Sequence, residues 1–326
     1  MPNSNAAASG RWQVLASFAA VYIIWGSTYL AISFAEASIP PLLMAGVRFL
    51  IAGGLLYGWA RLRGARRPQR IHWRSALVIG GLLLFAGNGG VVLGERTVPT
   101  GLAALLVSTV PLWMALIEGL RPGGRRPNLP VAVGLGIGFA GVALLVGPGT
   151  FTGGIGGLGG VIVVVGAAVC WAIGSLYSRT AKMPDSPLMG NALEMLAGGA
   201  LLMLVALGTG EGGQLHLDRV TPRSALALAY LVIFGSLVAY TAYIWLLRHV
   251  QVAHVSTYAY VNPVVALLLG IAFNGERLTP LTLLAAAVIL AAVVVITTFR
   301  DRPGGSLAGQ SAIAETEPLQ PAGRES

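Results

Sequence analysis

Long apolar runs alternate with short polar connections along almost the whole chain. Ten runs, at 12–33, 41–60, 75–94, 99–120, 129–147, 158–179, 188–208, 224–247, 253–274 and 279–299, are nearly free of charge. Each approaches the roughly 20 apolar residues a helix needs to cross about 30 Å of hydrocarbon. The pattern predicts an all-α, polytopic membrane protein with ten transmembrane helices. No stretch between the runs is long enough for a soluble domain, so one membrane domain is expected.

The runs repeat. Gly26-Ser27-Thr28-Tyr29 in the first returns as Gly174-Ser175-Leu176-Tyr177 in the sixth. Met44 to Gly54, ending in Ala52-Gly53-Gly54, is echoed by Met189 to Gly199, ending in Ala197-Gly198-Gly199. A duplicated block of five spans has an odd count, so its second copy enters the membrane in the opposite direction, as in secondary transporters. The boundaries read as a first five-helix repeat at 12–147, a linker at 148–157, a second repeat at 158–299 and a disordered cytoplasmic tail at 300–326.

Charge fixes the expected orientation. With the N-terminus inside, 16 of the 21 basic residues fall in cytoplasmic segments; Arg96, Arg219, Arg223 and Arg277 fall outside, and Arg48 lies within a helix. The positive-inside rule places both termini in the cytoplasm. A net charge of +9 might suggest nucleic acid, but the basic residues occupy alternate loops rather than one face, so no nucleic-acid partner is expected. Hydrophobic residues make up 55% and charged ones 10%, and the mean hydropathy is +0.76, which excludes an ordinary soluble core. The first run is too long for a signal-peptide core and reads as a retained anchor. Ten spans with basic flanks and no transit sequence point to a bacterial inner membrane.

Small residues such as Gly134, Gly138 and Gly141 line one face of the fifth run and permit close helix packing. Pro111 and Pro263 fall mid-run in the fourth and ninth segments, where proline removes a backbone bond and bends the helix. Matching breaks in two halves point to a midplane binding site, so both are candidate hinges.

Ionisable side chains in lipid cost about 3 kcal/mol or more, and each requires a reason. Arg48 and Glu194 occupy nearly equivalent places in the two repeats and are candidates for gating or for neutralising a substrate's charges. Glu118, near the inner end of the fourth run, either snorkels toward Arg121 or couples protons. The uncharged candidates are Trp25, Ser27, Tyr29, Asn88, Trp171, Ser175, Tyr177, Tyr240, Tyr243, Tyr258 and Asn262. A cavity built from these would be aromatic, hydrogen-bonding and nearly uncharged, and would suit amphipathic small molecules including zwitterionic amino acids. Trp12, Tyr22, Trp59 and Trp73 read as belt or packing residues.

No HExxH, paired CxxC, usable Ser/His arrangement or P-loop is present, so neither an enzyme nor a nucleotide-driven pump is expected. No cofactor or metal is implied. The expected partners are a small-molecule substrate, membrane lipid and, as a candidate coupling ion, the proton. Three functions stay open: export of small amphipathic metabolites such as amino acids, export of organic cations through Glu118 or Glu194 with aromatic faces, and a membrane interaction role without transport.

Four strings carry a family resemblance: Tyr22-Ile23-Ile24-Trp25-Gly26-Ser27-Thr28-Tyr29, Met44-Ala45-Gly46-Val47-Arg48-Phe49, Glu194-Met195-Leu196-Ala197 and Ser256-Thr257-Tyr258-Ala259-Tyr260-Val261-Asn262-Pro263. In this order they resemble EamA domains of the drug/metabolite transporter superfamily, in its ten-helix branch of inner-membrane exporters. The resemblance spans about 14–298 and implies a central cavity lined by helices one, three and four with six, eight and nine. It also implies that helices two and seven, which carry Arg48 and Glu194, need not line that cavity. The family often carries a Gly-Glu pair beyond each kinking proline. Here Gly275-Glu276 matches it, whereas the first half has Gly123-Gly124-Arg125.

Overall fold

The computed structural model describes residues 4–122, 127–146, 154–250, 255, 257–275 and 279–299, and these form helices and turns without strands. Among the described residues we number ten helical rods. α1 runs Ser4–Ala19, passes a π-helical turn at Ala20–Trp25 and continues as Gly26–Glu36; α2 is Pro41–Leu62. α3 joins Arg70–Gly80, a π segment at Gly81–Asn88 and Gly89–Glu95; α4 joins Thr100–Val107 to Val110–Leu120. α5 is Leu129–Val146, α6 Gly154–Ser178 and α7 Pro187–Gly208. α8 joins Pro222–Tyr230, a π segment at Leu231–Tyr240 and Thr241–His249; α9 is Tyr258–Asn274 and α10 Pro280–Phe299.

Seven rods contain stretches long and apolar enough to cross a membrane, and α5, α9 and α10 contribute the shorter apolar stretches Leu129–Leu144, Val261–Asn274 and Pro280–Ile296. Their outward faces are apolar, with Leu55, Ile162, Leu204, Leu268 and Phe273 exposed. Such a surface is stable only against lipid. Helix α6 begins at Gly154, within the segment 148–157 read as the linker; 147–153 lie outside the described residues, as do the tail at 300–326, Gly123-Gly124-Arg125 and Glu276.

Local signals explain the helix ends. Pro41, Pro187 and Pro222 stand in first turns, where a missing N–H forfeits no helical bond. The Thr221 hydroxyl caps α8 by accepting from the Ser224 N–H at 3.2 Å. Gly275, with φ of +68°, ends α9 in the left-handed conformation that glycine tolerates.

The two candidate hinges differ. α4 is interrupted at Ser108 and Thr109, and Pro111 opens its second half. Ser108 and Thr109 there donate their hydroxyls to the carbonyls of Leu105 and Leu106, each at 2.6 Å. Pro263 lies within α9, which runs through it uninterrupted. The two prolines thus differ in setting: Pro111 follows a break whose hydroxyls bond the last carbonyls of the preceding helical piece, and Pro263 stands inside a continuous helix.

Contacts between the halves follow a two-fold pattern. α2 lies along α7, α5 along α10, and α4 against α9. α1 packs on α8 and α9, as α6 packs on α3 and α4, and α2 meets α8 as α7 meets α3. Exchanging the halves returns this same set. Small residues make the closest approaches: Gly134, Gly138 and Gly141 of α5 face Ile296, Ala292 and Ile289 of α10, as the row in the sequence suggests.

One polar tie crosses the halves at the end where α1 turns into α2. The buried carboxylate of Glu211, in the short helix Glu211–Gln214, accepts the Leu43 N–H at 2.8 Å. That N–H belongs to the first turn of α2, which has no helical partner for it. Glu211→Ala should remove about 1–2 kcal/mol of stability, as loss of a cap does. The check is a lower thermal-unfolding midpoint in detergent, with Glu211→Gln, which keeps an acceptor, falling between the two.

Candidate functional site

The interrupted rods converge on an aromatic cluster. Trp25, the last residue of the π turn in α1, meets Trp171 of α6 at 6.1 Å, Tyr243 of α8 at 4.9 Å and Tyr258 of α9 at 5.5 Å between ring centroids. Tyr243 and Tyr258 meet edge to face at 5.6 Å. The Trp25 indole N–H donates to the Gly235 carbonyl at 3.2 Å, inside the π segment of α8. π turns shift backbone groups out of the regular helical ladder and are frequent at functional sites. Those of α3 and α8 occupy corresponding rods of the two halves.

The cluster separates two cavities. The larger, about 390 Å³, lies among α4, α6, α7, α8 and α9 and reaches Arg179 and Ala181 in the α6–α7 connection. Pro111, Ser175, Glu194, Tyr243 and Tyr258 line it. The smaller, about 70 Å³, lies toward the ends where α1 leads to α2 and α3 to α4; Trp25, Tyr29, Arg48, Asn88, Trp171, Tyr240, Tyr258 and Asn262 line it. Tyr258 faces both.

Arg48 and Glu194 flank this partition from opposite halves. Arg48 donates from Nε to the Ser236 hydroxyl at 2.8 Å and lies over the Phe49 ring at 4.8 Å. Glu194 accepts from the Tyr240 hydroxyl. Ser236 and Tyr240 are four apart on the π segment of α8, so that one segment ties a cation on α2 to one cavity wall and a carboxylate on α7 to the other. Helices two and seven, which by the resemblance need not line the cavity, each contribute one of these charged side chains to a cavity wall. Glycines allow the close approach on each side: Gly235 of α8 leaves room for the Arg48 guanidinium, and Gly80 and Gly198 let α3 and α7 touch backbone to backbone beside Glu194.

Two candidates lie away from these two cavities. Ser27 lines neither cavity; its hydroxyl donates to the Ile24 carbonyl at 2.8 Å and bonds the Tyr230 hydroxyl at 2.6 Å. Tyr177 is 38% exposed on the outer surface of α6 and also lines neither. Helical geometry gives the reason: each lies two residues, roughly 200°, around the helix from a cavity residue, Trp25 or Ser175. Glu118 pairs with Arg179 at 4.0 Å, both partly exposed. Such a pair contributes about 0–1 kcal/mol. Tyr22 bonds Thr257 and Trp12 is exposed, in keeping with packing and belt roles.

Some lining residues were not singled out from the sequence. Asn191 lines the larger cavity with its amide nitrogen buried and unbonded. Its signal, an amide in an apolar run, was the one that marked Asn88. Ser236, which lines neither cavity but bonds Arg48, carries no signal, since only packing brings it there.

The arrangement defines a class: a helical membrane transporter with internal cavities divided by side chains at the contact between two repeats. The chain belongs to the EamA-like transporter family, whose profile matches twice, over residues 11–147 and 158–298. It is 42% identical over 280 residues to the uncharacterized inner membrane transporter YedA of Escherichia coli (strain K12), covering 85% of this chain and 88% of that one. It is 30% identical over 282 residues to the uncharacterized transporter YvbV of Bacillus subtilis (strain 168), covering 86% and 90%. A crystal structure of another protein shares the fold, with a TM-score of 0.63 at 23% identity over 89% of this chain and 99% of that chain.

Proposed function

We propose that this protein is a secondary transporter that exports small amphipathic metabolites, with amino acids as the leading class, by alternating access. The observation that carries this reading is the pair of cavities lying end to end across the Trp25, Trp171, Tyr243 and Tyr258 cluster. A solute path interrupted by one movable layer is what alternating access requires. The two-fold contact set supports inverted repeats, and the charge distribution supports ten spans with both termini cytoplasmic in a bacterial inner membrane. The larger cavity then opens to the cytoplasm. Without a nucleotide-binding motif, the work is drawn from a gradient, with the proton as candidate ion. The aromatic and hydrogen-bonding linings fit solutes with an apolar body and a polar head.

A second reading has its own observation. Glu194 lines the larger cavity beside Tyr243 and Tyr258, a carboxylate with aromatic faces that would also hold an organic cation. Counterflow in proteoliposomes of the purified protein, with labelled amino acids and with tetraphenylphosphonium, separates the two. Saturable exchange of amino acids is expected. Exchange of the cation alone would establish the second reading, and exchange of neither class would refute both.

A further inference from the structure

Among the described residues, Arg48 holds a charge without a counter-ion. Its side chain is 3% exposed, its Nε is bonded to a neutral hydroxyl, and Nη1 is buried with no acceptor. Among the described residues, no carboxylate lies within ion-pairing distance of it. A guanidinium buried without a partner is strongly unfavourable, and in a membrane protein it marks a functional site. The same small cavity is lined by Asn88 and Asn262, each with a buried amide oxygen left unbonded. The space therefore offers one unspent cationic donor, on Arg48, beside two unspent amide acceptors, a set that a zwitterion with a carboxylate and an ammonium group would satisfy.

We propose that this cavity is a carboxylate-binding subsite on the transport path, so that the substrates are monocarboxylates, amino acids included, and not organic cations. Arg48 supplies a planar, two-pronged donor matched to a carboxylate, and a single guanidinium balances a single negative charge. About 70 Å³ admits a carboxylate with a few carbons, and Phe49 and Leu84 give the walls an apolar character. Tyr258, shared with the larger cavity, stands where the rest of the molecule would follow. The assignment of substrate class rests on the transport reading above; anion binding itself does not.

The test uses the full chain in nanodiscs, with the fluorescence of Trp25 and Trp171 as reporters and ionic strength held constant. Acetate and propionate should give a saturating change, and acetamide, propionamide and chloride should not. Arg48→Gln should weaken acetate binding about tenfold or more, the scale of a lost charge-assisted pair, and Arg48→Lys should recover part of it. Equal responses to acids and amides, or to chloride, would overturn the proposal. So would unchanged acetate binding by a folded Arg48→Gln protein. If that variant fails to fold, the wild-type comparison of acids with amides and the Arg48→Lys variant decide. Flux is scored in parallel. Amino acid amides carried as well as amino acids would refute the substrate class and leave transport intact. Acetate binding without flux of any compound would support the subsite and refute transport.

Discussion

Replacing Tyr258 with alanine is expected to reduce substrate flux by roughly ten- to a hundredfold while leaving the protein folded and inserted. The ring makes edge-to-face contacts with Trp25 at 5.5 Å and with Tyr243 at 5.6 Å, and it faces both cavities. Each such pair contributes about 0.5–1.5 kcal/mol beyond buried area, so its truncation removes about 1–3 kcal/mol from the layer that must hold and then release the solute. Tyr258→Phe keeps both ring contacts and should retain most of the flux. The measurement is counterflow of whichever compound the proteoliposome panel identifies, with gel filtration in detergent as the control for folding. Flux at the wild-type rate from Tyr258→Ala would remove the aromatic layer from the mechanism.

Gly80→Ala is expected to cause the largest loss of stability among small substitutions in the bundle. A Cβ at this position would lie 2.3 Å from the Glu194 carbonyl oxygen and 2.9 Å from the Gly198 nitrogen. Both are backbone atoms and cannot rotate aside, so α3 and α7 must separate by about 1 Å in a region packed to crystal density. Overpacking of this kind costs about 1–3 kcal/mol, and larger side chains at Gly80 should prevent folding. The displaced carbonyl belongs to Glu194, so the carboxylate bonded to Tyr240 moves with it. Gly54→Ala is the matched control: nothing lies within 4 Å of its Cβ, and the change should be neutral or slightly stabilising. Equal unfolding midpoints for the two variants would show that the α3–α7 contact is looser than described.

The same positions show how far the sequence could be read. Trp25, Tyr258 and Asn262 were found because a polar or aromatic side chain in a lipid-spanning run needs a reason, and all three line the smaller cavity. Ser27 and Tyr177 were chosen on the same ground, but their angular positions turn them away from it, which helical periodicity alone could have revealed. Asn191 carries the same chemistry, an amide in an apolar run, and lines the larger cavity. Arg48 and Glu194 were legible as costly charges. Their opposite cavities were not, because the Gly80 and Gly198 contact and the π segment of α8 place them, and neither is a periodic feature.

The sequence by itself determined the membrane class, the duplicated block and the family, because hydrocarbon thickness and the cost of buried charge act on each segment separately. Only the tertiary structure decided that Trp25, Trp171, Tyr243 and Tyr258 form one layer between two cavities. It also decided that Arg48 faces the smaller cavity with no counter-ion among the described residues. Both depend on which faces of α1, α2, α6, α8 and α9 meet, and contacts across more than a hundred residues leave no local trace in the chain.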